Sequence, residues 1–123
     1  MNKNKLIFKV TTLVLALLFF GGATHYFVAF QEVSDVFANY QFPRWLHPFL
    51  GVTKYMGAIS LVTIAFNISA NPKWLKEWTY GYIFLNGIFA VIAHQTVEEP
   101  FALSIPSIVT VVLVVISRLT WEK

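Results

Sequence analysis

Read from one charged residue to the next, the chain divides into four long apolar stretches. Residues 10–31 carry no formal charge and one histidine, His25, while residues 49–71 hold a single charge, Lys54. Residues 78–97 are uncharged between Glu77 and Glu98, and residues 100–117 are uncharged between Glu99 and Arg118. Each stretch is near the roughly 17 to 25 residues that a membrane-spanning helix needs. None alternates with the period of two of a barrel strand, and a bilayer admits only helices or closed barrels. The pattern predicts an all-α membrane protein, a single four-transmembrane-helix bundle over residues 1–123.

The connections carry their own signals. In residues 31–47, Val33, Val36, Phe37 and Tyr40 stand against Glu32, Ser34, Asp35 and Asn39, the spacing of a short amphipathic helix lying on the membrane surface. Pro43 and Pro48 punctuate the approach to the second span, and Pro48 suits a first helical turn. Asn71 and Pro72 separate the second span from the third. Pro106 falls about two turns into the fourth span, where a kink is expected.

Composition agrees with the pattern. The chain is 57% hydrophobic and only 12% charged, against about 25% charged in ordinary soluble domains. It has no cysteine, which excludes disulfides and thiolate chemistry. The net charge of +3 comes from residues at the ends of apolar runs, where they set orientation, so no nucleic-acid partner is expected. Lys3, Lys5 and Lys9 before an apolar run and Gly21-Gly22-Ala23 resemble a cleavable leader. Apolar character resumes from Tyr26 to Phe30, so an uncleaved first helix is expected. Lys3, Lys5, Lys9, Lys73, Lys76, Arg118 and Lys123 lie on one side, with Arg44 on the other. Both termini are therefore expected in the cytoplasm and the protein in the cytoplasmic (plasma) membrane. Trp74, Trp78, Tyr80 and Trp121 then mark the inner interface, and Tyr26, Tyr40, Trp45 and Tyr55 the outer one.

Few residues offer chemistry. Lys54 lies six residues beyond Pro48, about 9 Å along a helix, and must snorkel or pair. Gly51, Gly57 and Ala58 beside it, with Gly21 and Gly22 on the first span, predict close helix approach and a pocket in the outer half. His25 and His94 are expected at similar depth, and Lys54 is expected near His94, with Glu98 or Glu99 offsetting its charge. His47 is placed in a loop. No third ligand is spaced for a metal, and hydrogen bonding by the two histidines is preferred to haem or metal ligation. Asn86, near mid-membrane, is expected to find a partner across helices. Glu77, flanked by Lys73 and Lys76, is expected in a structural ion pair with them.

Several of these residues fall in recognisable runs. The segments HPFLGVTKYMGAISL and PKWLKEWTYGYIFLNGIFAVIAH resemble the DoxX-like family of small four-helix membrane proteins. The likeness is carried by Leu50, Gly51 and Lys54, by Leu75, Lys76, Glu77, Trp78 and Tyr80, and by Gly87 and His94 followed by acidic residues. The resemblance implies Lys54, Glu77 and His94 as recurrent polar positions. It also implies relatives that include a membrane subunit of a thiosulfate:quinone oxidoreductase and proteins that assist receptor assembly.

Three functions are open at this level. The first is a membrane subunit or assembly factor for a protein partner, or a homo-oligomer, with no catalytic activity alone and no cofactor. The second is a quinone- or lipid-binding component of a membrane oxidoreductase, with Lys54 and His94 at the headgroup. The third is a small-solute or proton transporter using Glu77, Asn86, Lys54 and His94 as a polar track.

Overall fold

The structure, a computed structural model, describes residues 3–66, 72–97 and 99–121. Among them it holds five α-helices: α1 (Lys3–Val28), α2 (Phe30–Asn39), α3 (Leu46–Ala65), α4 (Lys73–Thr96) and α5 (Ile105–Thr120). A 3-10 turn, Phe101–Ser104, leads into α5. The expected count of four helices is thus exceeded by α2, the amphipathic segment of the first connection. Its 10 residues extend only about 15 Å, too short to cross a bilayer.

Three segments are long and apolar enough to cross a membrane: α1, α3 and Phe101–Thr120. At 24 residues α4 is long enough, but Lys73, Lys76, Glu77, Asn86, His94 and Gln95 dilute its apolar character. The four long helices form a ring in which α1 packs on α3 and α5, and α4 packs on the same two from the opposite corner. Lys3, Ala65, Lys73 and Trp121 lie toward one end of this ring, called here the termini end. The α2 helix and the connection from α4 to α5 lie at the other.

Local sequence explains the boundaries. Pro72 caps α4 with an extended backbone, and Pro48 sits in the first turn of α3, where a missing N–H leaves no acceptor unserved. Pro106 does not kink a helix interior as expected. The 3-10 turn ends at Ser104, so Pro106 becomes the second residue of α5, again at a position without an intrahelical N–H bond. The α2 helix ends in a Schellman turn: Phe42 N–H donates to the Phe37 carbonyl and Gln41 N–H to that of Ala38. Gln41 takes the left-handed conformation, φ 66°, and the Phe37 and Phe42 rings close the motif at 5.7 Å.

A compact core of Leu15, Phe19, Leu61, Ile64, Ile83 and Val114 fills the ring. Leu17, Met56, Trp78, Leu85 and Leu119 point outward and are exposed, as a lipid-facing surface requires. Between helices in lipid the attraction comes from close packing and polar contacts rather than the hydrophobic effect. A Cβ at Gly87 would stand 2.6 Å from Val111 Cγ2, and one at Gly51 2.8 Å from the Phe27 ring. These two glycines therefore set the α4–α5 and α1–α3 spacings. Gly21 faces open space and does not take part in the close approach expected of it.

Hydroxyls stitch the helices together. Ser117 lies 2.6 Å from Thr12 and 2.8 Å from the Tyr80 hydroxyl, joining α1, α4 and α5. Ser60 pairs with Thr79 at 2.7 Å, Thr53 with Tyr82 at 2.8 Å and Thr24 with Tyr55 at 2.8 Å. Such pairs contribute about 0.6 kcal/mol each in a bilayer.

Candidate functional site

Toward the α2 end the ring opens into a cavity of about 650 Å³, within the roughly 300 to 1,000 Å³ of small-molecule sites. Most of its lining is apolar, from Leu18 and Phe19 on α1 to Phe89, Ala90 and Ala93 on α4 and Ile105 and Val109 on α5. The underside of α2, with Val33, Val36 and Phe37, and Tyr40 just after it cover it. Lys54, His25, Asn86 and His94 all line this one cavity. The four residues singled out as ligand-binding candidates therefore converge, although from three different helices.

Their contacts differ from expectation. Lys54 stands eight residues after the start of α3, about 12 Å along the axis. Its Nζ lies 4.8 Å from the Phe19 ring centre and 5.2 Å from that of Tyr26, close to the bare backbone of Gly22. Among the described residues it makes no hydrogen bond or ion pair. Two aromatic faces supply about 0.5 to 2 kcal/mol each, which offsets only part of the loss of water around an ammonium. The expected partnership with His94 and Glu99 is not made, because those two are committed to each other. Glu98 lies outside the described residues.

His94 closes the last turn of α4, and its Nδ1 lies 2.9 Å from the Tyr40 hydroxyl and 2.9 Å from Glu99 Oε1. The Tyr40 hydroxyl donates to the same Glu99 oxygen at 2.5 Å. This triad ties the end of α2 to the end of α4 and closes one side of the cavity cover. The hydrogen bond from Tyr40, and then that from His94, holds the Glu99 carboxyl below its ordinary value. Burial, with the bond to Glu99, pushes the Tyr40 hydroxyl up. Stacking of Phe42 on Phe89 at 5.4 Å reinforces the cover. Tyr40 and Glu99 were present in the sequence as an interfacial aromatic and an acidic neighbour. Their joint role needed the fold.

His47 is not in a loop. It lies in the first turn of α3 at 1% exposure, with its ring 4.4 Å from Phe30, 5.5 Å from Tyr26 and 5.6 Å from Phe37. Its Nε2 is 2.8 Å from the Tyr26 carbonyl. A carbonyl only accepts, so Nε2 carries the proton and the buried Nδ1 is left without a hydrogen bond. The ring is thus held between α1, α2 and its own helix α3. Asn86 makes no hydrogen bond among the described residues and lines the cavity instead of pairing across helices.

Glu77 does form an ion pair, but not with Lys73 or Lys76. Arg118 on α5 grips it in two parallel bonds, Nε to Oε1 at 2.7 Å and Nη2 to Oε2 at 2.9 Å. The antiparallel packing of α4 and α5 brings Arg118 alongside, while Lys76 Nζ lies over the Trp121 ring at 5.2 Å. Both partners are more than a third exposed, so the pair contributes about 0 to 1 kcal/mol. Glu77 does not line the cavity. No group of three metal-ligating side chains occurs among the described residues.

A family model described as the DoxX-like family matches residues 10–117. No curated protein and no solved structure matches the chain.

Proposed function

Given that the chain belongs to the DoxX-like family and is a small membrane protein, we propose that it binds a membrane-soluble amphiphile in the cavity beneath α2. The ligand class is a lipid or a quinone, with an apolar body against Phe89, Ala90 and Val109 and a polar head toward Lys54, His25 and Asn86. The observation that carries this is the meeting of a mostly apolar enclosure with polar side chains, Lys54, His25 and Asn86, that make no hydrogen bond or ion pair among the described residues. In this reading α4 is the fourth span, the termini end faces the cytoplasm, and the cavity lies in the outer half of the plasma membrane. Impermeant labelling of single cysteines placed at Lys73 and Glu99 should then come from opposite sides. The chain acts as a membrane subunit, presenting its ligand to a protein partner or to a second copy.

A transport track from Glu77 to Lys54 is less well supported. Tyr80 and Ile83 lie between Glu77 and Asn86 on α4, packed against Leu15 and Leu61. The test is to fill the cavity. Ala90→Trp should lower the affinity for a short-chain quinone and for a labelled fatty acid by about tenfold or more, the equivalent of about 1.4 kcal/mol, without lowering Tm. Unchanged affinity for both would remove the cavity as the site.

A further inference from the structure

We infer that the head of the cavity's ligand carries one negative charge, a carboxylate or a phosphodiester on an apolar body, and that Lys54 receives it. This rests on the reading of the cavity as an amphiphile site and goes beyond it by fixing the charge of the head.

The inference starts from Lys54, whose ammonium is enclosed by Phe19 and Tyr26 on one side and borders the cavity on the other. No described carboxylate lies within ion-pair distance of it. Glu99 is bound to His94 and Tyr40. Glu32, the carboxylate that does line the cavity, is itself exposed on α2 at the rim. A cation held in an apolar enclosure is stabilised by an anion far more than by a neutral carbonyl, because the bond it forms is charge-assisted. One ammonium balances one negative charge. A dianion would leave a charge unpaired in the enclosure, with Glu32 at the rim adding repulsion. Asn86 and His25, which line the same space, supply hydrogen-bond donors for the remaining oxygens of the head. The apolar lining from α4 and α5 then takes the body of the ligand.

Such a head occurs on a free fatty acid and on an acidic phospholipid of the bilayer. The chemistry at Lys54 is the same for both. The test uses the full chain in phosphatidylcholine nanodiscs at pH 8, with a pyrene-labelled fatty acid and its methyl ester as probes. The acid should bind the wild type about tenfold or more tighter than the ester, the equivalent of about 1.4 kcal/mol. Lys54→Met should abolish the preference, leaving ester binding within about twofold, and Lys54→Arg should keep it. Displacement of the acid by added phosphatidylglycerol identifies a bilayer lipid as the source, whereas resistance to it identifies a free acid; both support the inference. Equal binding of acid and ester by the wild type overturns it and leaves the amphiphile site intact. A preference that survives in Lys54→Met also overturns it. Binding of neither probe overturns the inference and the amphiphile site together. If Lys54→Met does not fold, the acid-to-ester ratio in the wild type and in Lys54→Arg decides the matter.

Discussion

The two ends of the bundle differ in how fully the polar residues that face the interior are satisfied. At the termini end, Thr12, Ser117 and Tyr80 satisfy one another at 0%, 0% and 4% exposure, and Glu77 is held by Arg118 in two bonds. At the α2 end, Lys54 and Asn86 have no hydrogen bond among the described residues, and the space they border is a cavity rather than packed side chains. Buried polar groups in a membrane either find partners within the protein or mark a place where something else provides them. The first end is therefore read as the clamp of the bundle and the second as its site.

If the contrast holds, equivalent truncations should differ between the ends. Leu61→Ala, in the fully buried core, should leave a new void and destabilise the protein by about 2 to 5 kcal/mol. Leu50→Ala, which only enlarges an existing cavity, should lose less than half as much. Equal losses in denaturation of the detergent-solubilised proteins would erase the distinction between packed and open ends.

A smaller effect is expected at the hydroxyl clamp. Ser117→Ala leaves Thr12 and the Tyr80 hydroxyl without their shared partner, a loss of about 1 to 3 kcal/mol, while ligand affinity should stay unchanged. A loss of binding without a loss of Tm would move the functional site to the termini end.

The smallest effect concerns the cover. Glu99 has a carboxyl held below its ordinary value of 4.5 by Tyr40 and His94, so its contribution is present above that value and is lost as pH falls through the lower folded-state value. Glu99→Gln should accordingly lower Tm slightly and by a constant amount above about pH 5, with the difference shrinking in more acidic solution. A difference that grows in acid would show that the triad does not hold the carboxylate as described.

Some of this was legible in the chain and some was not, for physical reasons that can be assigned. The four apolar stretches, the amphipathic α2, the place of Pro48 in the first turn of α3 and that of Pro72 just before α4 follow from local pattern and from the missing proline N–H. The Schellman turn after α2 has no glycine to signal it, because Gln41 occupies its left-handed position. Pro106 stands near the start of α5 and not two turns into it because a 3-10 turn shifts that start by several residues, which no local residue pattern announces. The true partner of Glu77 could not be read from neighbours in sequence, since Arg118 arrives only through the pairing of α4 with α5. His47 and the Tyr40, His94 and Glu99 triad depend likewise on how α2 folds back over the ring. Lys54, Asn86, His25 and His94 were visible as polar residues in or beside apolar runs, and the fold brings them to one cavity. Which of them would lack partners was not visible.

The α2 end, on this reading of the cavity, holds a ligand. Photo-crosslinking of a short-chain amphiphile carrying a photoreactive group, followed by peptide mapping, tests it most directly. Adducts are expected on the cavity lining, at Val36 and Phe37 of α2 and at Phe89 and Ala90 of α4, suppressed by excess unlabelled amphiphile and in Ala90→Trp. Adducts spread over outward residues such as Leu17, Leu85 and Leu119, and indifferent to competitor, would contradict it.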